Sequence, residues 1–146
     1  MKISDYDVGV AADFITKWEG EEFLAYLCPA GVWTIGVGHT KGVKRGDHIT
    51  REESQKLLRE DLEGFQKELA PMVTVDVTKG QFIALMSFVF NLGTTAFRES
   101  TLRRRLNEGR YAEAADEFTK WVFAGGKRLD GLAKRRAAER KKFLEG

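Results

Sequence analysis

Residues 18–40 read Trp18-Glu19-Gly20-Glu21-Glu22-Phe23-Leu24-Ala25-Tyr26-Leu27-Cys28-Pro29-Ala30-Gly31-Val32-Trp33-Thr34-Ile35-Gly36-Val37-Gly38-His39-Thr40. The stretch begins where one helical pattern stops. Upstream, Val8, Ala11, Ile15 and Trp18 recur at helical spacing, with Ser4 or Asp5 placed to cap, so a helix is predicted over residues 5–18. Gly20 then stands where helices end. Beyond it the character changes. Phe23, Ala25 and Leu27 alternate with Leu24, Tyr26 and Cys28, Pro29-Ala30-Gly31 signals a turn, and Val32–Val37 is β-prone. Two or three short antiparallel strands are expected within residues 21–48.

Working outward, Thr50-Arg51-Glu52-Glu53 forms a capping box, and Leu58, Leu62, Phe65 and Leu69 give the following helix a long apolar stripe. A second box, Thr78-Lys79-Gly80-Gln81, opens a helix running through Phe90. That helix is apolar nearly all round and is expected at the buried centre of a helical lobe. Short helices are predicted near Thr101–Asn107 and Tyr111–Phe118, and a last one from about Gly131 to Leu144. The class is therefore α+β and mostly helical. A small β-hairpin lobe (19–50) is joined by a long helix (51–70) to a larger helical lobe (71–146), and the helix 5–18 is expected to pack on that lobe. One domain spans 1–146, and a cleft between its lobes suits an extended substrate.

Composition fits this reading. Of 146 residues, 42% are apolar, enough to bury a core in one domain. A lone cysteine, Cys28, excludes an intrachain disulfide. Residues 1–20 carry Asp5, Asp7, Asp13, Lys17 and Glu19, so no apolar export region or membrane span is expected there. Residues 1–75 hold nine Lys/Arg against thirteen Asp/Glu, while residues 76–146 hold fifteen against nine. The second half can attract polyanions through Arg103-Arg104-Arg105, Lys134-Arg135-Arg136 and Arg140-Lys141-Lys142. A solvated helix face is the plainer reading of these charges, and no nucleic-acid module organises them. His, Asp and Glu lack metal-ligand spacing, and no phosphate-binding glycine loop is present, so no metal or cofactor is implied.

The hairpin carries the candidate chemistry. Eight residues separate Glu19 from Cys28, and five separate Cys28 from Thr34. A carboxylic acid, a second acid/base group and a hydroxyl are thus brought together, as glycoside hydrolysis requires. On periodicity alone, Glu19 reads more simply as a solvated helix end and Thr34 as an ordinary strand residue. Asn91 reads equally as a helix cap or as a partner for an N-acetyl group.

Trp18-Glu19-Gly20, Ala25-Tyr26, Gly31 and Thr34-Ile35-Gly36-Val37-Gly38-His39-Thr40 closely resemble the lysozyme family of tailed phages, glycoside hydrolase family 24. The resemblance continues in Phe88-Val89-Phe90-Asn91-Leu92-Gly93, Ser100-Thr101-Leu102, Trp121, Gly125-Gly126, Gly131-Leu132, Arg135-Arg136 and Glu139, in order along nearly the whole chain. The family motif is a glutamate, eight residues, an aspartate or cysteine, five residues, then threonine. This chain has the cysteine form.

The resemblance implies a lysozyme-like fold and an endolysin that hydrolyses, with inversion, the β-1,4 bond from N-acetylmuramic acid to N-acetylglucosamine in bacterial peptidoglycan. It implies Glu19 as general acid, Cys28 as weak base or water-orienting group against the plainer reading of a buried inert cysteine, and Thr34 as the hydroxyl that positions water. Gly38, Thr40, Phe90 and Asn91 are the implied substrate contacts. His39 is implied to be structural, with Asp61 as its partner. Arg135 or Arg136 is a candidate partner for Glu19. The expected protein is a monomer without signal peptide, cofactor, nucleic-acid partner or stable membrane association. It would be made in the host cytoplasm and reach the wall through a separate phage membrane-pore protein. A lytic transglycosylase acting on the same bond and a non-catalytic wall-binding module are the competing readings.

Overall fold

The computed structural model describes residues 1–146. The chain begins with two short 3-10 turns, Ile3–Asp5 and Val8–Ala11, followed by helix α1, Ala12–Glu19. The predicted continuous helix over 5–18 is therefore broken. Asp7 caps a new start by accepting from the Gly9 amide, and Gly9 lowers helical preference at the same place. The apolar stripe still works: Val8, Ala11 and Ile15 are buried with Leu58, Leu62 and the central helix.

Strands β1, Glu22–Leu27, and β2, Trp33–Gly36, pair antiparallel, with Tyr26 opposite Thr34 and Leu27 opposite Trp33. The register shifts between Glu22 and Tyr26, a bulge that bends β1 back toward the end of α1. No third strand forms. Ile35–His39 and Leu24–His48 make only isolated bridges, because the glycine-rich segment after Gly36 turns too often to stay extended.

Helix α2, Arg51–Leu69, starts at the predicted box: Thr50 Oγ1 accepts from Glu53 N at 3.1 Å and Glu53 Oε1 accepts from Thr50 N at 3.0 Å. Helix α3, Lys79–Leu92, starts the same way at Thr78 and Gln81. Each cap is worth roughly 1 kcal/mol. Helices α4, Thr94–Arg98, α5, Thr101–Asn107, and α6, Tyr111–Glu117, wrap the lobe. A tiny hairpin, β3 (Phe123–Ala124) and β4 (Lys127–Arg128), leads into helix α7, Asp130–Glu145. The fold is thus α+β, mostly helical, with a small hairpin on one side.

Helix α3 is buried on nearly every face and is the axis of the core. Phe88 shows why: its ring meets Phe97, Phe118 and Trp121 edge-on at centroid distances of 6.2, 5.6 and 5.5 Å. On α3's other side α7 approaches closely. A side-chain carbon added at Gly80 would lie 2.4 Å from the Lys142 carbonyl, so only glycine permits this crossing. The approach brings Arg135, Arg136 and Glu139 of α7 into the interior beside Ser87.

Candidate active site

Helix α1 ends at Glu19 because Gly20 takes a positive φ of 76° and donates its amide to the Thr16 carbonyl. The Glu19 side chain retains 20% exposure. One of its oxygens, Oε2, accepts from Arg135 Nη1 at 2.6 Å. The other, Oε1, lies against Gly38, where an added Cβ would sit 3.0 Å from it and 3.2 Å from Phe90 Cε1. Gly38 (φ 64°) therefore serves two needs, a left-handed turn and room for a carboxylate and an aromatic ring.

Gly38, Thr40 and Phe90 meet in one pocket of about 290 Å³, completed by His39, Lys41, Asp61 and Phe65. Three of the four predicted substrate contacts thus share a cleft wall that runs past Glu19. The fourth, Asn91, is not among the residues that line this pocket. Its Oδ1 accepts from Arg136 Nη2 at 2.8 Å, which occupies the carbonyl with an internal partner. Nor does Asn91 cap its helix, since α3 ends at Gly93, φ 89°. His39 Nδ1 bonds Asp61 Oδ2 at 2.8 Å and Nε2 bonds the Lys41 carbonyl at 3.0 Å, tying the glycine-rich loop to α2.

Across the hairpin, Cys28 opens the turn, bonded through its amide to the Val32 carbonyl at 3.0 Å. The thiol is half-buried. Backbone groups of Val32 and Ala30, and then the Thr34 hydroxyl, hold it below the ordinary thiol range. Thr34 is buried on β2, and its Oγ1 donates to the Val32 carbonyl at 3.0 Å. The structure therefore brings Cys28 and Thr34 together on one side of the hairpin. Opposite Thr34 stands Tyr26, half-buried on β1. Burial, and next the charge of Glu19, push its phenol above the ordinary range.

Behind Glu19 lies a buried ionic cluster. Arg135 Nε faces Ser87 Oγ at 3.3 Å and Glu139 Oε2 at 3.4 Å, and its Nη2 donates to the Ser87 carbonyl at 3.1 Å. Ser87 Oγ donates to Glu139 Oε2. Arg136 donates from Nη2 to the same oxygen at 3.1 Å. Its Nε lies 2.7 Å from Glu139 Oε1 without hydrogen-bond alignment. Arg136 also stacks over Phe88, with Cζ 5.3 Å from the ring centroid. Burial holds the Glu139 carboxyl above the ordinary carboxylate range, against the smaller opposing pulls of Arg136, Ser87 and Arg135. Tyr26, Ser87 and Glu139 had not been expected at the site. The spacing of Arg135, Arg136 and Glu139 at one helical turn was the available signal for the last.

Residues 16–139 match the phage lysozyme family. The chain is 46% identical over 133 residues to an endolysin of Acyrthosiphon pisum secondary endosymbiont phage 1, covering 88% of this chain and 91% of that one. Among solved structures, the muramidase domain of SpmX from Asticaccaulis excentricus superposes with a TM-score of 0.83 at 39% identity, covering 98% of this chain and 97% of that one. A P22 lysozyme mutant superposes with a TM-score of 0.80 at 40% identity, covering 99% of each chain. With the family match spanning residues 16–139 and an endolysin relative 46% identical over most of both chains, the chain belongs to the phage lysozyme family.

Proposed function

We propose that this chain is an endolysin that hydrolyses the β-1,4 bond between N-acetylmuramic acid and N-acetylglucosamine in bacterial peptidoglycan. The observation that carries the reading is the Glu19 carboxylate. It is held by Arg135 at 2.6 Å and aimed with Oε1 past Gly38 toward the Phe90 wall of the cleft. In this reading Glu19 protonates the oxygen of the departing sugar. Water attacks the anomeric carbon from the opposite side, oriented by Cys28 and Thr34. A single displacement of this kind inverts the anomeric centre. Gly38, Thr40 and Phe90 supply the wall on which the sugars lie, and Asn91 stiffens it from behind through Arg136.

Cys28 fits this role better than a buried inert thiol does. It sits at the hairpin turn, and its neighbours favour the thiolate, the form in which sulfur accepts a proton. No helix is long and apolar enough to cross a membrane. Monomeric action, and access to the wall through a separate phage membrane-pore protein, belong to the same proposal.

Glu19→Gln keeps the shape of the side chain but cannot donate the proton. General acid catalysis is worth roughly 10²–10⁴-fold, and turnover of purified peptidoglycan should fall by that order while the melting transition is kept. A Glu19→Gln protein with near-parental turnover ends the assignment.

A further inference from the structure

The Glu19–Arg135 contact poses a problem for an acid catalyst. A guanidinium 2.6 Å away favours the carboxylate, yet an acid must hold its proton until substrate arrives. The same guanidinium has a second carboxylate on its far side. Glu139 is fully buried, with Oε2 within reach of Arg135 Nε, Arg136 Nη2 and Ser87 Oγ. Burying a carboxylate there is costly unless it is paired, and a leucine would fill the same space without that cost.

We propose that Glu139 is a positioning residue for the reaction: its carboxylate fixes Arg135 and balances the buried guanidinium pair, leaving Glu19 oriented into the cleft and able to carry a proton. The inference rests on reading Glu19 as the acid. Geometrically, Arg135 is fixed at every nitrogen: Nη1 on Glu19, Nη2 on the Ser87 carbonyl, and Nε toward Ser87 Oγ and Glu139. Its planar fork thus links the end of α1 to the centre of α3, with Glu139 as the charged anchor. Electrostatically, two guanidinium groups face two carboxylates, and the cluster is neutral when Glu19 is ionised. Protonating Glu19 leaves one excess positive charge. Without Glu139 the excess would be two, and the proton on Glu19 would be harder to keep.

Other groups face the cluster. From β1 the Tyr26 phenol senses the Glu19 charge. From α3 come only the neutral Ser87 and Asn91. None of these supplies the second buried negative charge that Arg135 and Arg136 require.

The test is the pH profile of kcat/KM on purified peptidoglycan for the parent, Glu139→Gln, Glu139→Asp, Arg136→Met and Glu19→Gln, with melting curves for each. In Glu139→Gln the alkaline limb moves to lower pH by about one unit, a tenfold loss on that limb. Glu139→Asp restores most of the parental position. Arg136→Met removes a positive charge instead, and its limb moves to higher pH. A folded Glu139→Gln that loses rate evenly at every pH, its limb unmoved, has a structural role only and overturns the proposal. If Glu139→Gln does not fold, Arg136→Met decides: an upward shift supports charge balance, and an unmoved limb overturns it. Glu19→Gln separates this inference from the one beneath it. A Glu19→Gln protein that stays active overturns both, whereas an inactive one beside an unmoved Glu139→Gln limb overturns the Glu139 role alone.

Discussion

Gly38→Ala separates what a turn needs from what the active site needs. Gly38 has φ 64°, and a residue with a Cβ in that region costs about 1–2 kcal/mol. For a chain of this size each kcal/mol moves Tm by about 2–4 °C, so backbone strain alone predicts a fall of about 2–8 °C. The added methyl also lands 3.0 Å from Glu19 Oε1 and 3.2 Å from Phe90 Cε1. Glu19 cannot retreat freely, because its other oxygen is held by Arg135 at 2.6 Å. Either the carboxylate turns or Phe90 swings, and both disturb the cleft. Misplacing a catalytic group by a fraction of an ångström up to 1 Å costs about tenfold to a hundredfold in rate. Gly42→Ala is the matched control: its φ is 72°, and nothing lies within 4 Å of the added carbon. Both variants should lose Tm by similar amounts, measured by thermal scanning. Only Gly38→Ala should lose peptidoglycan turnover tenfold or more. If Gly38→Ala matches Gly42→Ala in both Tm and activity, the close seating of Glu19 against Gly38 has no catalytic weight.

At the half-buried Cys28, Asp should preserve turnover, Ala should remove most of it with little change in Tm, and Ser should be poor. Alkylation of the thiol should show a midpoint below that of free cysteine, rising in Thr34→Val. At Asp7, the Arg59 side chain and then the Gly9 amide hold the carboxyl below its ordinary range. Its stabilising contribution is therefore present above the ordinary aspartate value and lost as pH falls through the depressed folded value. Asp7→Asn should melt earlier than the parent at neutral pH and converge with it as pH falls below the ordinary aspartate value.

Much of the architecture was readable because its signals are local. The boxes at Thr50–Glu53 and Thr78–Gln81 start α2 and α3 as expected, since a cap is decided within four residues. The all-apolar face of α3 likewise announced its burial. The run from residue 5 to 18 misled because its apolar spacing survives the break at Asp7 and Gly9. Periodicity reports which residues face the core and not whether one continuous helix carries them. The β3–β4 hairpin turns at Gly125-Gly126, a recognisable turn pair, but two-residue strands leave no alternation to detect. At the site, Glu19 ends α1, and Cys28 and Thr34 stand at fixed spacing from it in the hairpin that follows. Glu139 and Ser87 meet Glu19 only through the packing of α7 on α3. That contact depends on Gly80 and spans more than fifty residues of sequence for the Ser87–Glu139 pair alone, so no local pattern could have paired them.

A reaction in which Glu19 protonates the leaving sugar while water attacks the anomeric carbon leaves a distinct product. Mass analysis of the fragments released from purified peptidoglycan tests it most directly. Glycans ending in free, reducing N-acetylmuramic acid should be released by the parent and lost with Glu19→Gln. Fragments ending in 1,6-anhydro sugars would show cleavage without water, as a lytic transglycosylase performs it, and would rule hydrolysis out.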